Sequence, residues 1–134
     1  LRDDVEKQSQ FGTTLMFDVS LPISQMEQYV ANVNNNLKKH WNNFNFIVWG
    51  HLADGNLHLV AGVGDLEDET IKKIETSVYD PLERIGGSVS AEHGIGIEKK
   101  PYLHLSRSKE EINYMKALKK TFDPKGILNP DLIF

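Results

Sequence analysis

Cysteine is absent from the 134-residue chain. That rules out disulfides, thiolate metal sites and cysteine-bound iron-sulfur clusters, so any metal must sit on imidazole and carboxylate. No apolar run approaches the roughly 20 residues a helix needs to cross a bilayer. The first residues also lack the basic-then-apolar pattern of a secretory signal, so a cytoplasmic or membrane-peripheral placement is expected. Repeats and low-complexity tracts are missing, and the 5 prolines and 10 glycines are spread along the chain. There is no basic excess either: 15 Lys and Arg stand against 19 Asp and Glu, a formal charge of -4. The one dense basic run, Lys99-Lys100, is short, which argues against a nucleic-acid partner. What is present, 40% hydrophobic and 25% charged positions, suits one domain with one core. The opening Leu1-Arg2-Asp3-Asp4, without an initiator Met, reads as a fragment boundary.

Residues 13–19 are β-branched and aromatic enough for a strand, and Pro22 with the Ser24/Glu27 capping-box pair then predicts a helix. Met26, Tyr29, Val30, Val33 and Leu37 fall on one face of that helix, which should run to about Lys39. Phe44–Trp49 and Leu57–Ala61 flank Asp54-Gly55, the pattern of a hairpin with a type I′ turn. Ile71, Ile74, Val78, Leu82 and Ile85 keep helical spacing up to Gly86-Gly87, with a kink expected at Pro81. Ser88–Ala91 then predicts a last strand. The order is that of an α+β fold, a ferredoxin-like βαββαβ antiparallel sheet with helices on one face. A C-terminal helical extension follows, opened by a Ser108/Glu111 capping box, with Ile112, Met115, Leu118 and Phe122 as its buried face.

With Asp54 and Gly55 as the central turn residues, Ala53 pairs with Asn56, Leu52 with Leu57, and His51 with His58. Two imidazoles facing each other across a ribbon can share one divalent ion. In a sheet of order 4-1-3-2, the end of the last strand emerges at the same edge, about two strand spacings or roughly 10 Å away. Glu92 and His93 follow that strand. Two imidazoles and one carboxylate leave an open coordination position, the catalytic pattern, and His93 beside the ion could take a proton from a metal-acidified hydroxyl. His40 and His104, at a helix end and in a loop, look ordinary. Gly94-Ile95-Gly96 lacks the third glycine and the parallel βαβ unit of a dinucleotide fingerprint. It serves either a close backbone approach to a ligand or a plain turn.

Three stretches taken together are specific: Gly50-His51-Leu52-Ala53-Asp54-Gly55-Asn56-Leu57-His58, Ser88-Val89-Ser90-Ala91-Glu92-His93-Gly94-Ile95-Gly96, and Asp123-Pro124-Lys125-Gly126-Ile127-Leu128-Asn129-Pro130. With Phe17-Asp18-Val19-Ser20-Leu21-Pro22, they resemble the C-terminal domain of the FAD-linked oxidases, which include D-lactate and D-2-hydroxyglutarate dehydrogenases and glycolate oxidase subunits. The resemblance implies that residues 1–134 are a single C-terminal substrate- and metal-binding domain, and that FAD is bound mainly by an N-terminal domain absent from this chain. The implied activity is metal-assisted oxidation of a 2-hydroxy acid to a 2-oxo acid with hydride transfer to FAD, and this chain alone would be inactive. By resemblance His51, His58 and Glu92 match the ligands of a divalent metal, Zn or Mn, and His93 matches the catalytic base. Arg2 and Asn56 match substrate-binding positions, and Asn129 a cofactor-binding one.

Met16 and Val60 replace a basic residue and an asparagine typical of members that handle hydroxyglutarate. The change favours a monocarboxylic or more apolar 2-hydroxy acid, because a distal carboxylate would lose its partners. Two other classes compete. A non-catalytic ferredoxin-like metal- or ligand-binding module would have no use for an unligated base beside an open coordination position. A small zinc hydrolase would require a second, water-activating carboxylate. The electron acceptor is left open, and apolar surface facing the missing domain would favour a homo-oligomer.

Overall fold

The computed structural model describes residues 13–132. In chain order its elements are β1 (Leu15–Ser20), α1 (Met26–His40), β2 (Asn45–His51), β3 (Asn56–Gly62), α2 (Asp68–Ile85), α3 (Gly96–Lys99) and α4 (Lys109–Phe122). Short 3-10 turns cover Ile23–Gln25, Leu52–Asp54 and Lys100–Leu105. The fold class is α+β. Its sheet is antiparallel, with β3 in the centre of the order β1-β3-β2.

The expected fourth strand does not form, so a complete ferredoxin-like sheet is not seen among the described residues. Ser88 makes a single antiparallel bridge to Ser20, and the backbone beyond it is drawn to side chains. Val89 N–H donates to Ser106 Oγ at 2.9 Å, and Ala91 N–H to Asp18 Oδ2 at 3.1 Å. Such side-chain bonds compete directly with a strand ladder.

Alternation along the strands sorts the sheet into two unlike faces. Phe17 and Val19 on β1, with Leu57, Leu59 and Ala61 on β3, enter the core beside Tyr29, Val33 and Leu37 of α1 and Ile74, Val78 and Leu82 of α2. Tyr29 Oη donates to the Val78 carbonyl at 2.8 Å, tying the two helices together inside that layer. By register, the other face carries Met16 and Asp18 on β1, Asn56, His58 and Val60 on β3, and Ile47, Trp49 and His51 on β2. The chemistry-bearing residues therefore lie on the side away from α1 and α2.

Two local expectations are corrected. Ser24 lies inside the 3-10 turn that follows Pro22, one residue before the α1 N-cap, Gln25, so the Ser24/Glu27 capping box is not made. At α4 the box is complete: Glu111 N–H donates to Ser108 Oγ, and Ser108 N–H to Glu111 Oε2. The apolar face of α4, by contrast, is not buried. Ile112 and Met115 are half-buried, and Leu118 and Phe122 are 58% and 79% exposed. Helical spacing is present, but α1 and α2 already fill the helix side of the sheet, and no further apolar layer lies against α4 among the described residues.

This division predicts opposite outcomes for two apolar truncations. Leu59→Ala, at a fully buried central position, should cost about 2–5 kcal/mol of stability. Phe122→Ala should stay within about 0.5 kcal/mol. Urea denaturation midpoints of both variants check this, and a larger loss at Phe122 would relocate the core.

Candidate metal centre

The two hairpin histidines share a face but are not direct partners. His51 pairs with Asn56, and Trp49 with His58, so the expected His51–His58 register is off by two residues. The cause is the turn. Asp54 lies inside the 3-10 turn Leu52–Asp54, and Gly55 follows it at φ 67°. A type I′ turn would need positive φ at both central residues. The result is a four-residue connection, closed by Gly55 N–H donating to the Leu52 carbonyl at 3.2 Å. Gly55 is fixed from outside too, since its carbonyl accepts from Leu21 N–H at 2.9 Å and a Cβ there would meet the Leu21 carbonyl oxygen at 2.7 Å. A shift by an even number of residues preserves the face. The rings remain diagonal neighbours, with centroids 5.7 Å apart.

Glu92 and His93 are brought to this face by Asp18, whose role the sequence pattern did not reveal. The Asp18 side chain is fully buried. Its Oδ2 accepts from the backbone N–H of Ala91, Glu92 and His93 at 3.1, 2.8 and 2.9 Å, and from Ser90 Oγ at 3.3 Å. The Lys99 ammonium stands 3.5 Å from the same oxygen and donates to Ser90 Oγ at 3.2 Å. Burial alone would raise the Asp18 pKa, but the His93 and Glu92 N–H groups and Lys99 outweigh it and hold the carboxyl below its ordinary value of 3.8. Burial pulls the Lys99 ammonium below its ordinary 10.5, with Asp18 opposing part of that fall. Between Phe17 and Val19 on a strand, Asp18 reads by alternation as a solvent-facing residue, so the sequence carried no signal of its burial.

The clamp sets the site. His51, His58 and Glu92 each offer a ligand atom within 4.8 Å of the others. Ligands about 2.1 Å from one tetrahedral ion lie roughly 3.4 Å apart, so modest side-chain motion closes the set, and the donor types suit zinc or manganese. Asn56, buried, donates its Nδ2 to Glu92 Oε1 at 2.6 Å and so orients the carboxylate. A second group, Asp18, His58 and His93, shares His58 with the first. It suits a cation less well, because Lys99 already lies against the Asp18 carboxylate and like charge repels. His93 is left beside the ion position, half exposed, its ring stacked on His58 at 6.1 Å and its Nδ1 3.9 Å from Asp18 Oδ2.

Other expected positions fall elsewhere. Asn129 lies in the exposed loop beyond α4 with φ 45°, and Arg2 is outside the described residues. Met16 and Val60 are direct cross-strand partners two residues along from Asp18 and His58. Gly94 and Gly96 both have positive φ, with nothing near their missing side chains, which fits a plain turn into α3. No helix among the described residues is long and apolar enough to cross a membrane.

The family described as FAD linked oxidases, C-terminal domain, matches residues 3–133. Among similar proteins is a D-2-hydroxyglutarate dehydrogenase of Stutzerimonas stutzeri, 37% identical across all of this chain and 30% of its own length. A putative mitochondrial D-lactate dehydrogenase of Schizosaccharomyces pombe is 40% identical over 85% of this chain and 23% of its own. The glycolate oxidase subunit GlcD of Bacillus subtilis is 34% identical over 91% of this chain and 26% of its own. The chain thus spans less than a third of the length of these relatives.

The clamp has a stability signature. Asp18→Ala would leave three backbone N–H groups without their acceptor and Lys99 without its partner, a loss of about 3–5 kcal/mol. Because the folded carboxyl titrates below the unfolded one, the unfolded chain binds more protons between the two values. The Asp18 contribution is therefore complete above about pH 3.9 and lost as pH falls through the lowered folded value. Urea midpoints of wild type and Asp18→Asn should converge toward acid. A gap that widens there would contradict the assignment.

Proposed function

The chain belongs to the family of FAD linked oxidases, C-terminal domain, and on that premise we propose that it is the metal- and substrate-binding part of a flavin-dependent 2-hydroxy-acid dehydrogenase. Residues 1–134 act in this reading as one C-terminal domain, and the flavin is held mainly by an N-terminal domain of the same protein. The observation that carries the reading is the convergence of His51, His58 and Glu92 with His93 alongside.

His51, His58 and Glu92 would hold a divalent ion, zinc or manganese. That ion would supply Lewis acidity toward the carboxylate and hydroxyl oxygens of a 2-hydroxy acid, and FAD would accept the two electrons with the C2 hydrogen. Asn56 fixes the carboxylate of Glu92 through its 2.6 Å bond, so one ligand is oriented before substrate arrives. His93 takes the hydroxyl proton at Nε2, since its Nδ1 faces Asp18. The buried carboxylate, 3.9 Å from Nδ1, stands behind the ring as that proton is taken. Trp49, its ring 5.7 Å from that of His58, walls the ligand ring on another side.

Substrate class turns on the Met16–Val60 pair. Relatives named for hydroxyglutarate and for lactate are both similar to this chain, so discrimination rests on side chains. Met16 is half exposed and Val60 fully buried, and neither can pair with a distal carboxylate. Burying that carboxylate without a partner would cost several kcal/mol. A monocarboxylic 2-hydroxy acid, lactate or a longer homologue, is the favoured class.

Two measurements test this. The purified chain should carry roughly one zinc or manganese ion, and a His51→Ala/His58→Ala double variant should carry almost none. Equal metal content in the two would remove the site. In the complete flavoprotein, kcat/KM should be higher for lactate or longer monocarboxylic acids than for hydroxyglutarate, and the reverse order would defeat the substrate reading.

A further inference from the structure

The clamp uses one oxygen of Asp18 and leaves the other idle. Oδ2 takes the three backbone N–H groups, Ser90 and Lys99, whereas Oδ1 is fully buried and has no hydrogen-bond partner. An unsatisfied buried carboxylate oxygen is costly and demands an explanation. The polar atom facing it is Nδ1 of His58, 3.9 Å away. The His58 side chain is itself 11% exposed, and its ring is flanked by those of Trp49, His51 and His93. The backbone N–H groups and the Lys99 ammonium gathered on Oδ2 favour the ionised carboxylate, which can only accept. Any hydrogen bond to Oδ1 must therefore be donated by His58. A ring shift of about 1 Å brings the pair to an ordinary hydrogen-bond length.

We propose that Asp18 is a positioning residue for the metal centre: its Oδ1 accepts from Nδ1–H of His58, fixing the tautomer in which Nε2 presents its lone pair to the ion. This rests on the metal reading above and deepens it, because it names the carboxylate that selects the ligand nitrogen. Metal-binding histidines commonly donate their second N–H to such a partner, and its removal weakens metal binding about 10- to 100-fold. The same side chain would then coordinate the site twice, posing Glu92 through its backbone by Oδ2 and His58 through its ring by Oδ1. Asp18→Asn separates the two duties. Its carbonyl oxygen can still accept the backbone N–H groups, while its amide NH2, placed at Oδ1, would offer a donor to His58 Nδ1. That favours the opposite tautomer, with the proton on Nε2 and no lone pair there for an ion.

The test has a spectroscopic and a binding arm. In the metal-free, 15N-histidine-labelled chain, at a pH where the ring is neutral, His58 should show a protonated Nδ1 and an unprotonated Nε2. Ser90→Ala, which touches only the Oδ2 side, should leave that pattern in place, and Asp18→Asn should reverse it. Zinc affinity, read by competition with a chromophoric chelator, should fall about 10- to 100-fold in Asp18→Asn and little in Ser90→Ala. A protonated Nε2 in wild type, or the same tautomer and zinc affinity in wild type and Asp18→Asn, overturns the proposal. So does loss of zinc in His93→Ala with retention in His51→Ala, because Asp18 would then be a ligand itself. Failure of wild type to bind zinc would instead sink the metal reading. The tautomer would still decide whether Asp18 holds His58, and should Asp18→Asn not fold, the wild-type spectrum alone decides it.

Discussion

A single buried carboxylate oxygen organises the unusual part of this molecule. Asp18 Oδ2 gathers the N–H groups of three successive residues, Ala91 to His93, and so replaces strand pairing with a side-chain anchor. An aspartate at that depth is tolerated only because its donors come with it: the backbone supplies hydrogen bonds and Lys99 supplies charge. The arrangement is mutual. Asp18 holds residues 91–93 while Ser106 draws Val89 out of the ladder, and the N–H groups of that segment in turn make the burial of Asp18 tolerable. Fold and site are coupled at this carboxylate, which together with Ser106 accounts for the missing fourth strand.

Most of the frame could be read from local pattern. The stripes of α1 and α2, the hairpin and the Ser108 capping box are period and capping signals, which act within a few residues, and they appear where expected. The His51/His58/Glu92 grouping was also legible, though for a partly wrong reason. The dipeptide Asp54-Gly55 suggested a two-residue turn, whereas the chain makes a four-residue one. The site survived because the side-chain period of a strand is two and the error was two. A slip of one residue would have put His51 and His58 on opposite faces.

What the sequence hid depends on contacts distant along the chain. Asp18 meets Glu92 and His93 across more than seventy residues, and no periodicity reports such a meeting. Ser88–Ala91 has a strand-like composition, but composition cannot show that its N–H groups will find a carboxylate first. The helical spacing of α4 was read correctly, and its burial was not. Spacing says which residues share a face, and only the arrangement of layers says whether anything covers that face. With α1 and α2 occupying the helix side of the sheet, α4 keeps Leu118 and Phe122 in solvent.

The site divides by depth, and the division bears on how it could work. Asp18, Asn56 and His58 are buried, whereas His51, Glu92 and His93 are exposed. The buried members are held on adjacent strands of the sheet, so they can set geometry before any ligand arrives. The exposed members form an open edge, where water weakens their electrostatic interactions. The proton transfer proposed for His93 would gain most when that edge is covered. The cover must approach the sheet face opposite α1 and α2, because the helix-bearing face is filled by the core. On the reading proposed above, that cover is the flavin-bearing domain, and the buried half of the centre is the fixed reference against which it closes.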